Sequence, residues 1–129
     1  MILETSALVA ILAGEPQRER LLAALTGAER IRMSAASYLE AAVVVDRLRE
    51  PVLSRLLDTL LTELRVEIVP VDLDQARTAR GAYRDFGKGS GHPAGLNFGD
   101  CFSYALARET DEPLLFVGDD FGHTDVRLA

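Results

Sequence analysis

The sequence predicts an α/β fold, a three-layer α/β/α arrangement around a central, mainly parallel sheet. Short apolar runs of β character alternate with helical stretches from end to end. The 129 residues suffice for one core, so residues 1–129 form a single domain. The composition, 48% hydrophobic and 26% charged, provides that core and excludes a disordered, collagenous or repetitive chain.

Met1 to Leu3 reads as the first strand, and Thr5 and Ser6 behind it are suitable N-cap residues for a short helix through Leu12. The chain turns at Gly14. Pro16 is tolerated in a first helical turn, and Leu21, Leu22 and Leu25 supply the inward face of a helix ending near Thr26 and Gly27. A strand around Ile31 to Met33 follows. Ser34 then caps a long helix whose apolar positions Leu39, Val43 and Leu48 recur at helical spacing until Pro51 interrupts it. A leucine-faced helix spans Pro51 to Leu64, where core packing competes with a partner contact as the use of the surplus leucines.

The run VEIVPV around Ile68 reads as a buried strand. Asp72 or Asp74 opens a helix with Ala76, Ala79, Tyr83 and Phe86 on one face, ending at Gly87. Residues Gly87 to Gly95, rich in glycine, form a mobile loop. Asn97 caps a helix to about Thr110, Leu114 to Val117 is a buried strand followed by the turn GDDF, and the tail TDVRL is a candidate edge strand.

The net charge of −6 disfavours passive adhesion to nucleic acid or anionic membrane, so a nucleic-acid role needs a local basic stripe or a metal. One cysteine, Cys101, excludes an intrachain disulfide and suits a reducing cytoplasm. With only two histidines beside it, a four-ligand zinc site from N and S donors is excluded as well. The N-terminal apolar stretch lacks basic residues ahead of it and is too short to span a bilayer, so neither a signal peptide nor a membrane span is expected.

Five acids fall where an open parallel sheet gathers its ligands, at strand C-termini and the starts of the following helices. They are Glu4, Glu40, Asp100 and the adjacent pair Asp119 and Asp120. Carboxylates converging without Lys or Arg repel one another unless a divalent cation neutralises them, and oxygen-only ligation selects Mg²⁺ or Mn²⁺. Such a site suits phosphodiester hydrolysis by an activated water. Each acid also has a structural use. Glu40 fits a capping box with Ser37, Asp100 suits the positive end of its helix, and Glu4, Asp119 and Asp120 fit turns and caps.

The opening M-I-L-E-T-S-A-L, the S-x-x-E of Ser37 to Glu40, L-N-F-G-D-C-F-S-Y-A-L-A from Leu96 to Ala107 and L-L-F-V-G-D-D-F-G-H-T-D from Leu114 to Asp125 carry a resemblance. Together the four motifs, in order along the whole chain, resemble PIN-domain ribonucleases, specifically VapC-type toxins of bacterial toxin–antitoxin pairs. The resemblance implies a cytoplasmic, Mg²⁺-dependent endoribonuclease acting on RNA, a homodimer, and neutralisation by a VapB-type antitoxin. It makes Glu4 and Asp100 metal ligands, Glu40 a ligand or the acid that positions the attacking water, and Asp119 or Asp120 the fourth acid. Thr5 and Ser6 match the family's small polar pair, which would hold the first carboxylate or the substrate phosphate, with helix capping as the alternative.

One departure stands out: the family carries Asp where this chain has Glu4. The extra methylene moves the carboxylate by about 1.5 Å against a tolerance near ~0.5 Å for productive geometry, so a weakened site is expected. A natural variant with adjusted geometry and a deliberate weakening substitution both explain it, and the expectation leans to the second.

For substrate binding, Arg77, Arg80 and Arg84 form a stripe leading toward Lys88, a phosphate grip or else a solvated helix face. The loop GKGSG does not match a phosphate-binding loop, Cys101 reads as a core residue, and His92 and His123 sit in turns. Aspartyl-phosphate chemistry fits poorly, because E-T-S lacks the second aspartate and the only lysine is Lys88. The non-enzymatic alternative is a catalytically inactive PIN-like module that binds RNA or protein.

Overall fold

The computed structural model describes all 129 residues as one three-layer α/β/α domain. The strands are β1 (Ile2–Leu3), β2 (Arg32–Ser34), β3 (Glu67–Val69) and β4 (Leu114–Leu115). The helices are α1 (Thr5–Leu12), α2 (Arg18–Thr26), α3 (Ala35–Arg47), α4 (Pro51–Glu63), α5 (Leu73–Phe86) and α6 (Asp100–Thr110), with a 3-10 turn at Asp120–His123. The sheet is wholly parallel in the order β3-β2-β1-β4, so the chain reverses direction across the sheet between β1 and β4.

The layering follows from the two-residue period of the strands. Leu3, Met33 and Leu115 join the core under α1 to α4, while Ile2 and Leu114 point the other way into the core under α5 and α6. Leu8, Ile11, Leu21 and Leu25 complete the first core, and Leu96 and Leu106 lie in the second, each at most 2% exposed.

Several local expectations are corrected. The N-cap of α1 is Glu4 rather than Thr5 or Ser6: its backbone is extended and its side chain accepts from the Ser6 amide. Leu39, Val43 and Leu48 do not face the core. The buried stripe of α3 is Ser37, Ala41 and Val45, because α3 lies against α1 and α6 at distances that small residues permit. In α5 the buried residues are Gln75, Ala79 and Ala82, and Ala76 and Tyr83 are exposed.

The VEIVPV strand is not buried. β3 is the sheet edge, and Ile68 is 39% exposed there. The last strand stops at Leu115, short of Val117, because the Val117 amide donates to Ser6 Oγ at 2.9 Å instead of to a strand. Regular α6 begins at Asp100, although Asn97 Oδ1 accepts from the Asp100 amide one turn ahead, as a cap would. The glycine loop lacks regular structure but is pinned at its base by a bridge between Gly87 and Leu96. The tail contributes a single bridge, Leu128 to Leu114.

α4 takes Pro51 in its first turn, and Leu57 and Leu61 are its buried residues. Leu53, Leu60 and Leu64 are half-buried, while Leu56 and Val52 are exposed. The leucine face therefore serves the core with its inner row and leaves the outer row uncovered.

Candidate active site

β1 runs directly into Glu4, β2 into α3 and β4 into the 3-10 turn, so their C-terminal ends deliver three acids to one sheet edge. The edge includes the β1/β4 reversal, the position where open parallel sheets bind ligands. α6 crosses beneath β1, β2 and β4 and contributes Asp100 from its first turn.

Glu4 is 3% exposed and Asp100 8% exposed, an unusual depth for carboxylates without a cationic partner. None of Glu4, Glu40, Asp100, Asp119 and Asp120 has a Lys or Arg nitrogen within 4.0 Å. Burial pushes the Glu4 carboxyl up to about 7. The charges of Asp100 and Glu40 add to the rise, and the two hydrogen bonds from Ser6 oppose it. Burial likewise lifts Asp100 to about 6, assisted by Asp120 and Glu40 and opposed by the Asn97 amide.

Ser6 holds the first carboxylate in place. Its amide donates to Glu4 Oε2 at 2.7 Å, its hydroxyl donates to the same oxygen, and that hydroxyl accepts from Val117. Thr5 instead donates to the Ser37 carbonyl at 3.3 Å, tying α1 to α3. Asp100 and Asn97 form a reciprocal pair. The Asn97 amide donates to Asp100 Oδ2 and the Asp100 amide to Asn97 Oδ1, both at 2.9 Å. The structural use of Asp100 is therefore realised on one of its oxygens, with Oδ1 unengaged by the protein.

Glu40 does not close a capping box, because Ser34 caps α3 and the Ser37 hydroxyl pairs with Ser103 Oγ at 2.9 Å. Its carboxylate instead lies against Gly99, where a β-carbon would collide with Oε2. Of the adjacent aspartates, Asp120 is the one whose charge acts on Asp100. Asp119 begins the 3-10 turn, its carbonyl accepting from Gly122.

The donors are all oxygen, and Glu4 Oε1 and Asp100 Oδ1 make no protein hydrogen bond, so the set fits a hard divalent cation. As they stand, the side chains do not make a closed cage: no three His, Cys, Asp or Glu residues lie close enough to hold a metal together. Repulsion among uncompensated carboxylates opposes such closure, and a cation removes it.

Residues 1–127 match the PIN domain family. The chain belongs to that family. Ribonuclease VapC28 of Mycobacterium tuberculosis is 57% identical over 129 residues, covering all of this chain and 97% of the relative. Ribonuclease VapC42 of the same species is 54% identical over 129 residues, with 100% and 98% coverage. This PIN domain is thus of the VapC type. Among solved structures, M. tuberculosis VapC20, a sarcin-ricin loop cleaving toxin, superposes with a TM-score of 0.79 at 16% identity, covering 99% of this chain and 97% of that one. VapBC2 from Rickettsia felis, bound to a promoter DNA fragment, gives 0.76 at 17% identity with 99% and 96% coverage. The expected fold is the fold observed.

Two structural supports of this PIN-domain site escape a reading of acids alone. Gly99 makes room for Glu40, for which the glycine directly before Asp100 was the available sign. The fully buried Ser37–Ser103 pair ties α3 to α6, and hence the helix of Glu40 to the helix of Asp100; only the tertiary packing reveals it. The arginine stripe divides. Arg77 pairs with Asp74 at 3.8 Å and Arg84 with Asp85 at 2.9 Å, whereas Arg80 and Lys88 have no acid within 4.0 Å. The Cys101 thiol, buried and pushed up to about 11, is a core group rather than a nucleophile. His123 is exposed in the 3-10 turn, and His92 packs on Phe86.

Proposed function

We propose that this chain is a Mg²⁺-dependent endoribonuclease toxin, with Mn²⁺ as a substitute, restrained by a VapB-type antitoxin. The observation that carries the reading is the convergence of Glu4, Glu40, Asp100 and Asp120 at one sheet edge, two of them buried, none paired with a cation. The names of its relatives, ribonucleases at 54% and 57% identity over the full chain, support RNA as substrate. The toxin–antitoxin assemblies among the structural neighbours support the partner.

Glu4 and Asp100 would hold the cation, with Glu40 and Asp120 completing the site. A bound divalent cation supplies Lewis acidity and neutralises charge at the phosphate. Glu40, which makes no protein hydrogen bond, is placed to orient a water and accept its proton. Ser6 fixes the direction of the Glu4 carboxylate, and Asn97 that of Asp100. Because Glu4 is one methylene longer than the family's aspartate, activity is attenuated. The outer row Leu39, Val43, Leu48 and Val52 on α3 and α4 offers an apolar surface for the antitoxin or for a second copy in a homodimer.

The test is cleavage of total RNA and of a defined hairpin with Mg²⁺, Mn²⁺ or EDTA, by this chain and by Glu4→Asp. Metal-dependent cutting that is at least about tenfold faster in the Asp form supports both the reaction and the attenuation. Absence of cutting by either form favours the inactive binding module, a reading to which the hold of Ser6 on Glu4 and the open arrangement of the acids lend weight.

A further inference from the structure

A groove of about 470 Å³ runs between α5 and α6, within the size range of small-ligand sites. Three aromatic side chains line it, Tyr83, Phe98 and Phe102, and two arginines, Arg80 and Arg84, join them. Phe98 is 75% exposed, more than any other large hydrophobic residue in the chain, and meets Phe102 edge to face with ring centroids 5.0 Å apart. Covering an apolar ring this exposed is favourable, and a flat partner stacked on its open face covers the most of it.

Charge complementarity decides what that occupant is. The chain carries a net −6 and the adjoining acids have no cationic partner, yet this groove combines aromatic faces with guanidinium groups. Arg84 shares its charge with Asp85, but Arg80 has no acid within 4.0 Å and is free for an anion. An aromatic face beside an unpaired arginine is the pairing that single-stranded nucleic acid uses, base on ring and phosphate on guanidinium. By contrast the outer row of α3 and α4 is aliphatic, and nothing in it selects for a nucleic acid.

The position is equally telling. Phe98 lies two residues before Asp100, so their α-carbons are at most about 7.6 Å apart. A base stacked on Phe98 therefore belongs to a nucleotide close to the phosphate that the acids would attack. We propose that the groove is a base-stacking subsite for single-stranded RNA, in which Phe98 with Tyr83 and Phe102 holds an unpaired base and Arg80 its phosphate. The proposal rests on the ribonuclease reading and specifies its substrate as RNA with a base unstacked beside the cut.

The chain contains no tryptophan, so Phe98→Trp places a single indole in the groove. In EDTA, a short single-stranded RNA should quench that emission saturably while inorganic polyphosphate does not. Phe98→Ala should weaken RNA binding by at least about fivefold, the lower end for one stacked base, with Phe98→Trp retaining it. Arg80→Ala should weaken binding of RNA and of polyphosphate alike. Phe98→Ala that binds RNA as tightly as the parent overturns the subsite, and continued metal-dependent cleavage in that variant leaves the nuclease reading standing. Intact, Phe98-dependent RNA binding with no cleavage even by Glu4→Asp supports the subsite and removes the nuclease. A dimer seen by light scattering without RNA and dissolved by Phe98→Ala overturns the subsite in favour of an interface between two copies.

Discussion

At Gly99 a single missing methyl group decides where Glu40 can lie. A β-carbon there would collide with the end of a flexible carboxylate rather than with backbone, so the fold can absorb it by moving Glu40 away. Gly99→Ala should therefore lower cleavage by at least about tenfold, the scale of a group displaced by an ångström, while the melting temperature moves by only a few degrees. Parallel cleavage assays and thermal melts would show it, and an unimpaired rate would mean that Glu40 takes no part. Asp100→Asn keeps an oxygen for the Asn97 amide but removes the charge. Cleavage should fall by about a hundredfold or more, with stability at pH 8 equal to or above that of the parent, because a buried charge has been removed. A large loss of stability in the melt would instead mark Asp100 as a structural acid.

At the scale of elements, helix ends were legible, α1 closing at Leu12, α2 at Thr26, α5 at Phe86 and α6 at Thr110 as the sequence predicts, whereas the conformations of the capping residues were not. Pro51 and Ser34 announce their helices, but α3, α4 and α6 are each followed or closed by a left-handed residue that is not glycine: Arg49, Arg65 and Asp111. In α4 the Val66 amide returns to the Leu61 carbonyl, the bond of a C-terminal cap whose left-handed position glycine fills at least cost. Arg65→Gly should accordingly stabilise the domain by about 1 kcal/mol, read as a rise of several degrees in thermal melting. The α3 face was misread for a related reason. Apolar period alone cannot say which of two apolar stripes faces in, and the small stripe Ser37, Ala41 and Val45 wins because α1 and α6 pack closely there. The acids were legible because they sit at strand ends and helix starts, positions set by local pattern. Their supports, Gly99 and the Ser37–Ser103 bridge, depend on the contact between α3 and α6, which no local pattern records.

For the whole molecule, the order of strands turns four separate acids into one electrostatic unit, with a consequence for stability. Glu4 holds its proton up to about 7 when folded and releases it near 4.5 when unfolded, and Asp100 holds its own to about 6 against 3.8. The folded state binds more protons across that window. The contribution of these two groups to stability is therefore greatest below about 4, falls as pH rises from about 4 to 7, and is gone above the folded values. The Glu4 contribution is on the order of 3 kcal/mol from the shift it shows. Denaturant titrations of the metal-free protein at pH 5 and pH 8 should show the decline, and added Mg²⁺ should restore stability at pH 8 more than at pH 5. Equal stability at both pH values would mean that the acids are already compensated.

The central claim is that these carboxylates form a cation-holding catalytic unit rather than a set of helix caps. Calorimetric titration of Mn²⁺ at pH 8 into the parent and into Asp100→Asn tests it most directly, with hairpin cleavage followed on the same samples. Saturable binding in the parent that weakens at least about tenfold in Asp100→Asn, with cleavage lost alongside, is the result expected. Mn²⁺ binding unchanged by Asp100→Asn, or absent from both, would contradict the claim and leave the acids as structural groups.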